Sequence, residues 1–213
     1  MEILIGTANP SKLALYQEHL SLPGVILRTP DELGITCECP EDARTPEGNA
    51  IQKAAVWHRA SGLPVFSLDS GLLFLDLPED HPDQPGTHVR RVNGKTLNDE
   101  EMLAHYIALM KKHGGSLRAS WNNAACLYFD ENHVFTHVKN REMLEGSAFL
   151  LTDTPVSGRH DGWPLDSLSV NIATGRHYLA EKEQAAQDVE SPKTGLWRGA
   201  ITAWVSSVIK QME

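Results

Sequence analysis

The chain begins with a short apolar run that passes directly into a signal for the start of a helix. Residues 3–5 read Ile-Leu-Ile, Gly6 ends the run, and Asn9 and Pro10 suit the cap and the first position of a helix. A buried strand that turns at once into a helix is typical of an α/β sheet. The same turn leaves unpaired backbone N–H groups at the start of the helix, and these favour phosphate oxygens.

The order of the later segments predicts a mixed sheet with helices around it. Apolar periodicity predicts a first helix with Leu13, Tyr16 and Leu20 on one face. The later predicted elements are strands at residues 25–27 and 65–68, helices from Thr45 to Gly62 and within 97–115, strand-rich residues 118–151, and helices at 177–187 and 195–210. We interpret residues 1–213 as a single domain with a hairpin-rich part at about 118–151.

The composition excludes some classes of partner. The 213 residues include 19 basic and 28 acidic side chains, for a formal net charge of −9. A nucleic acid polymer or an anionic membrane would need basic surface, so neither is expected, whereas a small phosphorylated ligand is compatible with this charge. No basic leader and no apolar stretch of membrane-spanning length is evident, so the expected location is the cytoplasm. The three cysteines lack a disulfide or zinc pattern and are expected to be plain thiols.

The segment GTANPSK is the first candidate ligand site. Thr7 and Asn9 can donate hydrogen bonds to phosphate, and Lys12 adds a positive charge one turn into the helix. The alternative is an ordinary capped helix that carries a solvated lysine.

The segment SLDSG is the second candidate site. Asp69 is predicted at the carboxyl end of a buried strand, where open α/β sheets place ligand groups. There it can hold Mg²⁺ or accept a proton from an attacking water, and Ser70 can contact phosphate. The alternative is a turn in which Asp69 binds the backbone of Ser70 and Gly71. Asn49 and Lys53 lie on the preceding helix, where a solvated lysine is the default interpretation.

The segments GWPLD and LWRG form the third candidate site. Trp163 lies in a loop flanked by Gly and Pro and can present a flat face to a nucleobase. Asp166 and Arg198 can bind base edges or phosphate. The alternatives are a buried tryptophan and a structural Asp–Arg pair.

Taken together and in order, these segments resemble the inosine triphosphate pyrophosphatase family, whose members act on non-standard purine triphosphates. Four motifs carry the resemblance over residues 1 to about 115. They are TANPSK with Thr7, Asn9 and Lys12, GNAIQKA with Asn49 and Lys53, LPVFSLDSGL with Asp69, and PGTHVRR with Arg91. In the second half, GWPLDS matches the family at Gly162 and Asp166, and LWRG matches it at Arg198 and Gly199.

The chain departs from the family pattern at several acids and at the base-binding segments. The family carboxylates that hold magnesium are replaced here by Leu15, Gly48 and Leu68. Two explanations stay open: the nearby acids Glu18, Glu47 and Asp76 take their place, or the metal arrives mainly bound to the nucleotide. Trp163 replaces the aromatic residue that stacks on the base, and Trp197 replaces a histidine.

The resemblance implies a fold, an activity and roles for these residues. The implied fold is mixed α/β, with a long curved central sheet flanked by helices in two lobes and a cleft between them. The implied activity is hydrolysis of a nucleoside triphosphate to a nucleoside monophosphate and pyrophosphate, with Mg²⁺ as cofactor and a homodimer as the assembly. The implied catalytic residues are Asp69, which activates water or binds the metal, Lys12 and Lys53. The implied substrate-binding residues are Thr7, Asn9, Lys12, Asn49, Lys53, Ser70 and Arg91, with Trp163, Asp166 and Arg198 addressing the base.

Two alternatives to this activity stay open. The missing carboxylates are compatible with a nucleotide-binding protein of the same fold that has lost hydrolysis. The altered GWPLD and LWRG segments are compatible with a phosphohydrolase that takes a different nucleotide, because a fold does not by itself decide a substrate.

Overall fold

The computed structural model describes residues 1–9, 13, 16, 17, 20, 23–158, 163–179 and 192–212, with side chains in the last range at residue 197 and from 199 onwards. The strands are β1 (Glu2–Ile5), β2 (Ile26–Arg28), β3 (Val65–Phe74), β4 (Arg91–Val92), β5 (Lys95–Thr96), β6 (Ser116–Asp130), β7 (His133–Val138), β8 (Phe149–Thr152) and β9 (Ser169–Val170). The helices are α1 (Pro30–Leu33), α2 (Pro46–Ser61), α3 (Asp99–Lys112), α4 (Arg141–Gly146) and α5 (Pro192–Met212), with a 3-10 turn at Pro164–Ser167.

The main sheet of the described residues is mixed. Its seven strands follow the order β2-β1-β3-β6-β8-β9, and β7 pairs with β6. β1 runs parallel to β2 and β3, whereas β6 runs antiparallel to β7 and β8, and β8 runs antiparallel to β9. The predicted mixed α/β class is therefore confirmed.

The first of two compact units has its main core on one face of the strands. This unit consists of Met1–Ser70, Asn122–Asn140 and Pro192–Glu213. In the core, Phe66 of β3 packs with Val205 of α5. Leu13, Tyr16 and Leu20 contact the same cluster, as the periodicity of the first helix predicts.

Helix α2 packs on the other face of β3. Val65 contacts Ala54 and Trp57 of the helix, and the Ser67 hydroxyl donates a hydrogen bond of 2.6 Å to the carbonyl oxygen of Ala50. Because side chains alternate along a strand, Asp69 lies on this same face of β3, toward α2.

The ends of α2 are those that the sequence predicts. The Thr45 hydroxyl accepts a hydrogen bond from the backbone N–H of Gly48, Pro46 occupies the first turn, and Gly62 ends the helix with a φ of 71°. A left-handed residue at this place favours glycine, which has no Cβ to clash.

The second compact unit consists of Gly71–Trp121 and Arg141–Ser191. In its core, Phe74 of β3 packs with Tyr106 and Met110 of α3 and with Leu151 of β8. Asn98 caps the start of α3, and Asn98 and Glu101 form a capping box in which each side chain accepts a hydrogen bond from the backbone N–H of the other.

The end of β3 differs from the prediction. β3 continues to Phe74 rather than ending at residue 68, so Asp69 lies in the middle of a strand and does not form a turn with Ser70 and Gly71. The Ser-Gly pair predicts a break, but the following Leu-Leu-Phe run stays extended because Leu72 and Phe74 are buried in the second core.

Within the strand-rich residues 118–151, the chain also forms α4, which the sequence analysis does not predict. Leu144 of α4 packs with Leu75 and Ala148, so a local apolar cluster stabilises this short helix. In the predicted helix at 177–187, His177 instead forms a β-bridge with Val170, residues 178 and 179 are helical, and residues 180–187 lie outside the described residues. Among the described helices, none is long and apolar enough to cross a membrane.

Gly6 follows β1 and lies close to Val65 of β3 and Trp57 of α2. A Cβ at this position would lie 2.7 Å from Cγ1 of Val65 and 3.1 Å from Cδ1 of Trp57. We expect Gly6→Ala to lower the free energy of unfolding by about 1–3 kcal/mol through overpacking, as measured by urea denaturation. Gly199→Ala is the matched control, because nothing lies within 4 Å of its added Cβ in α5, and it should be neutral or stabilising. Unchanged stability of Gly6→Ala would contradict the close packing.

Lys139 is a buried cation in the first unit. It is 8% exposed, and its Nζ lies 5.8 Å from the centroid of the Trp197 ring. Burial lowers the pKa of Lys139 from 10.5 to about 8. Between about pH 8 and pH 10 the unfolded chain therefore keeps a proton that the folded protein has lost, and stability rises with pH across this range.

We expect Lys139→Met to increase the free energy of unfolding at pH 7 by about 1–3 kcal/mol, because it removes the cost of a buried charge. The gain should shrink when unfolding is measured at pH 10, where the wild-type lysine is neutral in the folded state. Lys111→Met, on an exposed position of α3, controls for the chemical change itself. A gain that is equal at both pH values would contradict the lowered pKa.

Candidate functional site

Lys53 and Asp69 form a buried ion pair in the first unit. Lys53 is 7% exposed and Asp69 is 6% exposed. The Lys53 ammonium donates a hydrogen bond of 2.5 Å to Oδ1 of Asp69. A buried charge is tolerated when it is paired and hydrogen-bonded, so the two side chains depend on each other.

Asn49 completes the surroundings of the Asp69 carboxylate. Asn49 and Lys53 are four residues apart in α2 and therefore lie on one face of the helix, toward β3. The Asn49 side-chain amide donates a hydrogen bond of 3.0 Å to Oδ2 of Asp69, and its Oδ1 accepts one of 2.9 Å from the backbone N–H of Ala43. Both carboxylate oxygens of Asp69 thus have donors that fix their orientation.

Glu41 is a member of this centre that the sequence analysis did not identify. Its Oε1 lies 2.7 Å from Nζ of Lys53, and its side chain is 50% exposed. The only sequence signal was the acidic loop before α2, which contains several acids and does not show which of them turns toward Lys53. We call Glu41, Asn49, Lys53 and Asp69 the lysine–carboxylate centre.

The charges of the lysine–carboxylate centre support one another. Burial by itself would lower the pKa of Lys53, but the charges of Asp69 and Glu41 and their hydrogen bonds outweigh burial, and the pKa is raised above its ordinary value. Lys53 is therefore a cation at neutral pH. Burial and the charge of Asp69 also raise the pKa of Tyr16, so the tyrosine stays a neutral phenol.

Packing explains why two of the carboxylates implied by the resemblance are absent from this chain. A Cβ at Gly48 would lie 2.7 Å from the Cβ of Ala43, so a larger residue there would displace the loop before α2. Leu68 lies on the face of β3 opposite to Asp69 and is buried in the main core of the first unit. The third position, Leu15, lies outside the described residues.

The acids proposed to replace them are engaged elsewhere. Glu47 accepts a hydrogen bond of 2.5 Å from the Thr136 hydroxyl. Asp76, in the second unit, accepts hydrogen bonds from the backbone N–H of Arg118 at 2.7 Å and from its Nε at 2.8 Å. Glu18 lies outside the described residues.

The predicted phosphate-binding turn is described only in part. Oγ1 of Thr7 accepts a hydrogen bond of 3.2 Å from the backbone N–H of Asn9, which is exposed. Ser70 follows Asp69 on β3 and is half-buried. Lys12 lies outside the described residues.

A pocket of about 150 Å³ lies within the second unit. Its lining residues are Val89, Arg90, Met102, Trp121, Trp163, Pro164, Leu165 and Asp166. The structure thus brings together Trp163 and Asp166, two residues of the third candidate site. Trp163 is 48% exposed and can offer its ring to a ligand. The side chain of Arg198 lies outside the described residues.

The arginine that lines this pocket differs from the predicted one. The motif PGTHVRR indicates Arg91, which is exposed at the start of β4. The preceding residue, Arg90, lines the pocket and forms an ion pair of 2.5 Å with Asp99 of α3.

The acids of the lysine–carboxylate centre fit a magnesium ion that is also held by phosphate. Mg²⁺ is usually bound by one or two carboxylates together with substrate phosphates and water. Glu41 and Asp69 provide two carboxylates, and both already contact Lys53. Across the part of the chain that the structure describes, no group of three or more Asp, Glu, His or Cys side chains is placed to hold a metal ion without a phosphate ligand.

Comparison with known proteins gives consistent matches. The sequence profile of the Ham1 family matches residues 3–147. A dITP/XTP pyrophosphatase of Porphyromonas gingivalis is 35% identical over 134 residues, which cover 63% of this chain and 66% of that protein. The dITP/XTP pyrophosphatase of Bacillus subtilis is 31% identical over 110 residues, which cover 52% of this chain and 54% of that protein. The matched part of the chain thus spans between about half and two thirds of the length of these curated relatives.

Solved structures show the same fold. A HAM1 protein from Coxiella burnetii superposes with a TM-score of 0.69 at 23% identity, covering 99% of both chains. The Ham1 protein of Staphylococcus aureus gives a TM-score of 0.65 at 20% identity, covering 95% of this chain and 99% of that one. These matches agree with the resemblance read from the four motifs of the first half. The chain belongs to the Ham1 family.

Proposed function

We propose that this chain hydrolyses non-standard purine nucleoside triphosphates to a nucleoside monophosphate and pyrophosphate, with residues 1–213 acting as one domain. The observation that carries the proposal is the buried pair of Lys53 and Asp69, with both carboxylate oxygens held by donors. Relatives of the chain are named dITP/XTP pyrophosphatases, and the matched region contains the whole lysine–carboxylate centre.

In this proposal Asp69 is the general base. Each carboxylate oxygen has two lone pairs, so an oxygen that accepts from Lys53 or Asn49 can accept one further hydrogen bond from water. Asp69 takes the proton of that water while the water oxygen attacks the α-phosphorus. The bond from the α-phosphorus to the oxygen that bridges it to the β-phosphorus breaks, and pyrophosphate leaves with that oxygen.

Cations and amides of the first unit hold the phosphates. Lys53 stays charged because its pKa is raised, so it can balance negative charge that develops during the reaction. Thr7, Asn9 and Lys12 belong to the sequence segment that follows β1, where the sequence predicts a turn into a helix, and backbone N–H groups at such a turn bind phosphate oxygens. Asn49 and Ser70 are the proposed polar contacts next to Asp69.

Magnesium is the proposed cofactor, bound together with the triphosphate. Glu41 and Asp69 would hold it, with Glu41 the more accessible of the two carboxylates. When bound, the ion supplies neutralisation of phosphate charge.

The pocket of the second unit is the proposed base site. Trp163 stacks on the ring, and Asp166 accepts a hydrogen bond from a ring N–H. Arg91 and Arg198 are the proposed further contacts to the nucleotide, on the evidence of the motifs in which they occur. A homodimer and a cytoplasmic location complete the proposal, and light scattering would measure the assembly.

The ion pair itself can be tested through stability. Lys53→Met leaves the Asp69 carboxylate buried without its cation, and we expect the free energy of unfolding at pH 7 to fall by about 3–5 kcal/mol in urea denaturation. Lys53→Met combined with Asp69→Leu removes both charges and should recover most of this loss. Lys95→Met breaks an exposed pair with Glu101 and serves as the matched control, for which little change is expected.

The pH dependence of this effect follows from the raised pKa of Lys53. The stabilisation by Lys53 is fully present below the pKa of an unfolded lysine, about 10.4, and is lost only as the pH rises through the higher folded value. Equal stability of wild type and Lys53→Met at pH 7 would contradict the pairing.

The catalytic role of Asp69 can be tested through product release. We expect Asp69→Asn to lower kcat for deoxyinosine triphosphate at least about 100-fold with little change in KM, because the amide cannot accept the proton. Chromatography of the monophosphate and a pyrophosphate assay give the measurement. Asp130→Asn, at the end of β6 with a half-exposed side chain, is the matched control. A wild-type rate in Asp69→Asn would contradict the role, and thermal stabilisation of wild type by nucleotides without pyrophosphate release would favour a binding protein.

A further inference from the structure

The second unit contains a tight turn between β4 and β5 that consists of an asparagine followed by a glycine. Asn93 and Gly94 have φ angles of 49° and 79°, and Asn93 is the one residue other than glycine with a positive φ in the part of the chain that the structure describes. The flanking strands pair Val92 with Lys95 in antiparallel register, so the loop has two residues. Asn-Gly in such a loop is typical of a type I′ turn, which needs a positive φ at both positions.

The same two residues bring together an amide and a nucleophile. When the backbone nitrogen of Gly94 attacks the side-chain carbonyl carbon of Asn93, a five-membered ring closes. Glycine leaves this nitrogen accessible because it has no side chain, and Gly94 lies in the turn rather than among the paired residues. Both residues are exposed to water. Of the nine asparagines in the chain, only Asn93 is followed by glycine.

The hairpin is short enough to open locally. β4 and β5 contribute two residues each to a two-stranded sheet that is separate from the main sheet. A two-stranded hairpin is marginally stable by itself, and exposed segments of this kind open at a low cost in free energy. Opening is required, because ring closure needs rotation about ψ of Asn93, which the closed turn holds in a left-handed conformation.

We propose that Asn93 is a modification site, at which spontaneous deamidation yields an isoaspartate that disrupts the β4–β5 hairpin. The nitrogen of Gly94 forms a bond with Cγ of Asn93 and gives up its proton. The bond from Cγ to the side-chain nitrogen breaks, and this nitrogen leaves as ammonia with that proton. Water then opens the succinimide at either carbonyl group, which gives aspartate or isoaspartate. Water is the only co-reactant, so the inference does not depend on the proposed function.

Isoaspartate changes the backbone and therefore the register of the hairpin. Its main chain runs through the side-chain carbon, which adds one methylene to a loop whose length sets the pairing of the strands. At the base of the hairpin, the backbone N–H of Leu97 donates a hydrogen bond of 2.8 Å to the carbonyl oxygen of Arg90. Nη1 of Arg90 in turn donates one of 3.3 Å to the carbonyl oxygen of Leu97. A change at the turn is thus transmitted to a residue that lines the pocket of the second unit.

The hairpin is also linked to the start of α3. Lys95 of β5 forms an exposed ion pair with Glu101, whose side chain belongs to the capping box with Asn98. Exposed ion pairs contribute little to stability, so global unfolding would change little when this contact is lost. Hydrogen exchange of the backbone N–H of Leu97 is the more direct measurement, because it reports the hydrogen bond that closes the hairpin.

The test is incubation of the purified wild-type protein at neutral and at mildly alkaline pH. Peptide mapping by mass spectrometry locates each conversion of an amide to an acid, and methylation by a protein isoaspartyl methyltransferase measures the isoaspartate. We expect Asn93 to lose its amide, and to lose it faster at alkaline pH, because the attacking nitrogen must give up a proton. Asn132 is the internal control, since it is exposed in the turn between β6 and β7 but precedes His133, and it should remain an amide.

Two variants separate the modification from other changes at the turn. Asn93→Gly removes the amide but keeps a sequence that suits a type I′ turn, so it should keep the wild-type exchange of Leu97 throughout the incubation. Freshly prepared Asn93→Asp has the charge of the aspartate product without the added methylene, and its Leu97 exchange should also match that of unmodified wild type. The incubated wild-type protein should lose protection at Leu97 in proportion to its isoaspartate content.

Two results would overturn the proposal. One is an Asn93 side chain that keeps its amide for as long as Asn132 does. The other is an isoaspartate-containing protein in which the Leu97 N–H exchanges as slowly as in the unmodified protein.

Discussion

The cost of burying charge is the constraint on which the first unit depends. Lys53 and Asp69 are both almost inaccessible, and each is tolerated only because the other, together with Asn49, provides a partner. The pair links α2 to β3 through side chains that neither element would bury alone. It also fixes the orientation of a carboxylate, which a general base requires, so the same interaction that couples the helix to the sheet prepares the proposed chemistry.

Packing accounts for the residues at two positions where the resemblance implies a carboxylate. A Cβ at Gly48 would lie against Ala43, and Leu68 is buried in a core. Glu41 contributes an acid from the loop before α2, on the exposed side of Lys53. A lysine between two carboxylates keeps cationic charge next to Asp69, and the acids that remain suit a metal ion that phosphate also holds.

The pocket of the second unit differs from the lysine–carboxylate centre in its mostly apolar lining. Trp121 and Trp163 line it with indole rings, beside the charged side chains of Arg90 and Asp166. Asp99 and the Leu97 carbonyl hold the guanidinium of Arg90 in place. Arg91 is the next residue in the chain and has the same side chain, but it is exposed at the start of β4. Two adjacent arginines therefore differ in that only Arg90 lines the pocket.

The sequence by itself determined the class of fold, both ends of α2 and the capped start of α3, because these depend on local caps and on periodicity. The motifs that match the family also marked Asn49, Lys53 and Asp69 as candidate residues. Only the tertiary structure decided that β3 runs on past Asp69, that Glu41 rather than Glu47 or Asp76 contacts Lys53, and that Arg90 lines the pocket. The physical reason is that these outcomes depend on strand pairing and on partners distant in the chain, whose burial outweighs local signals such as the Ser-Gly pair after Asp69.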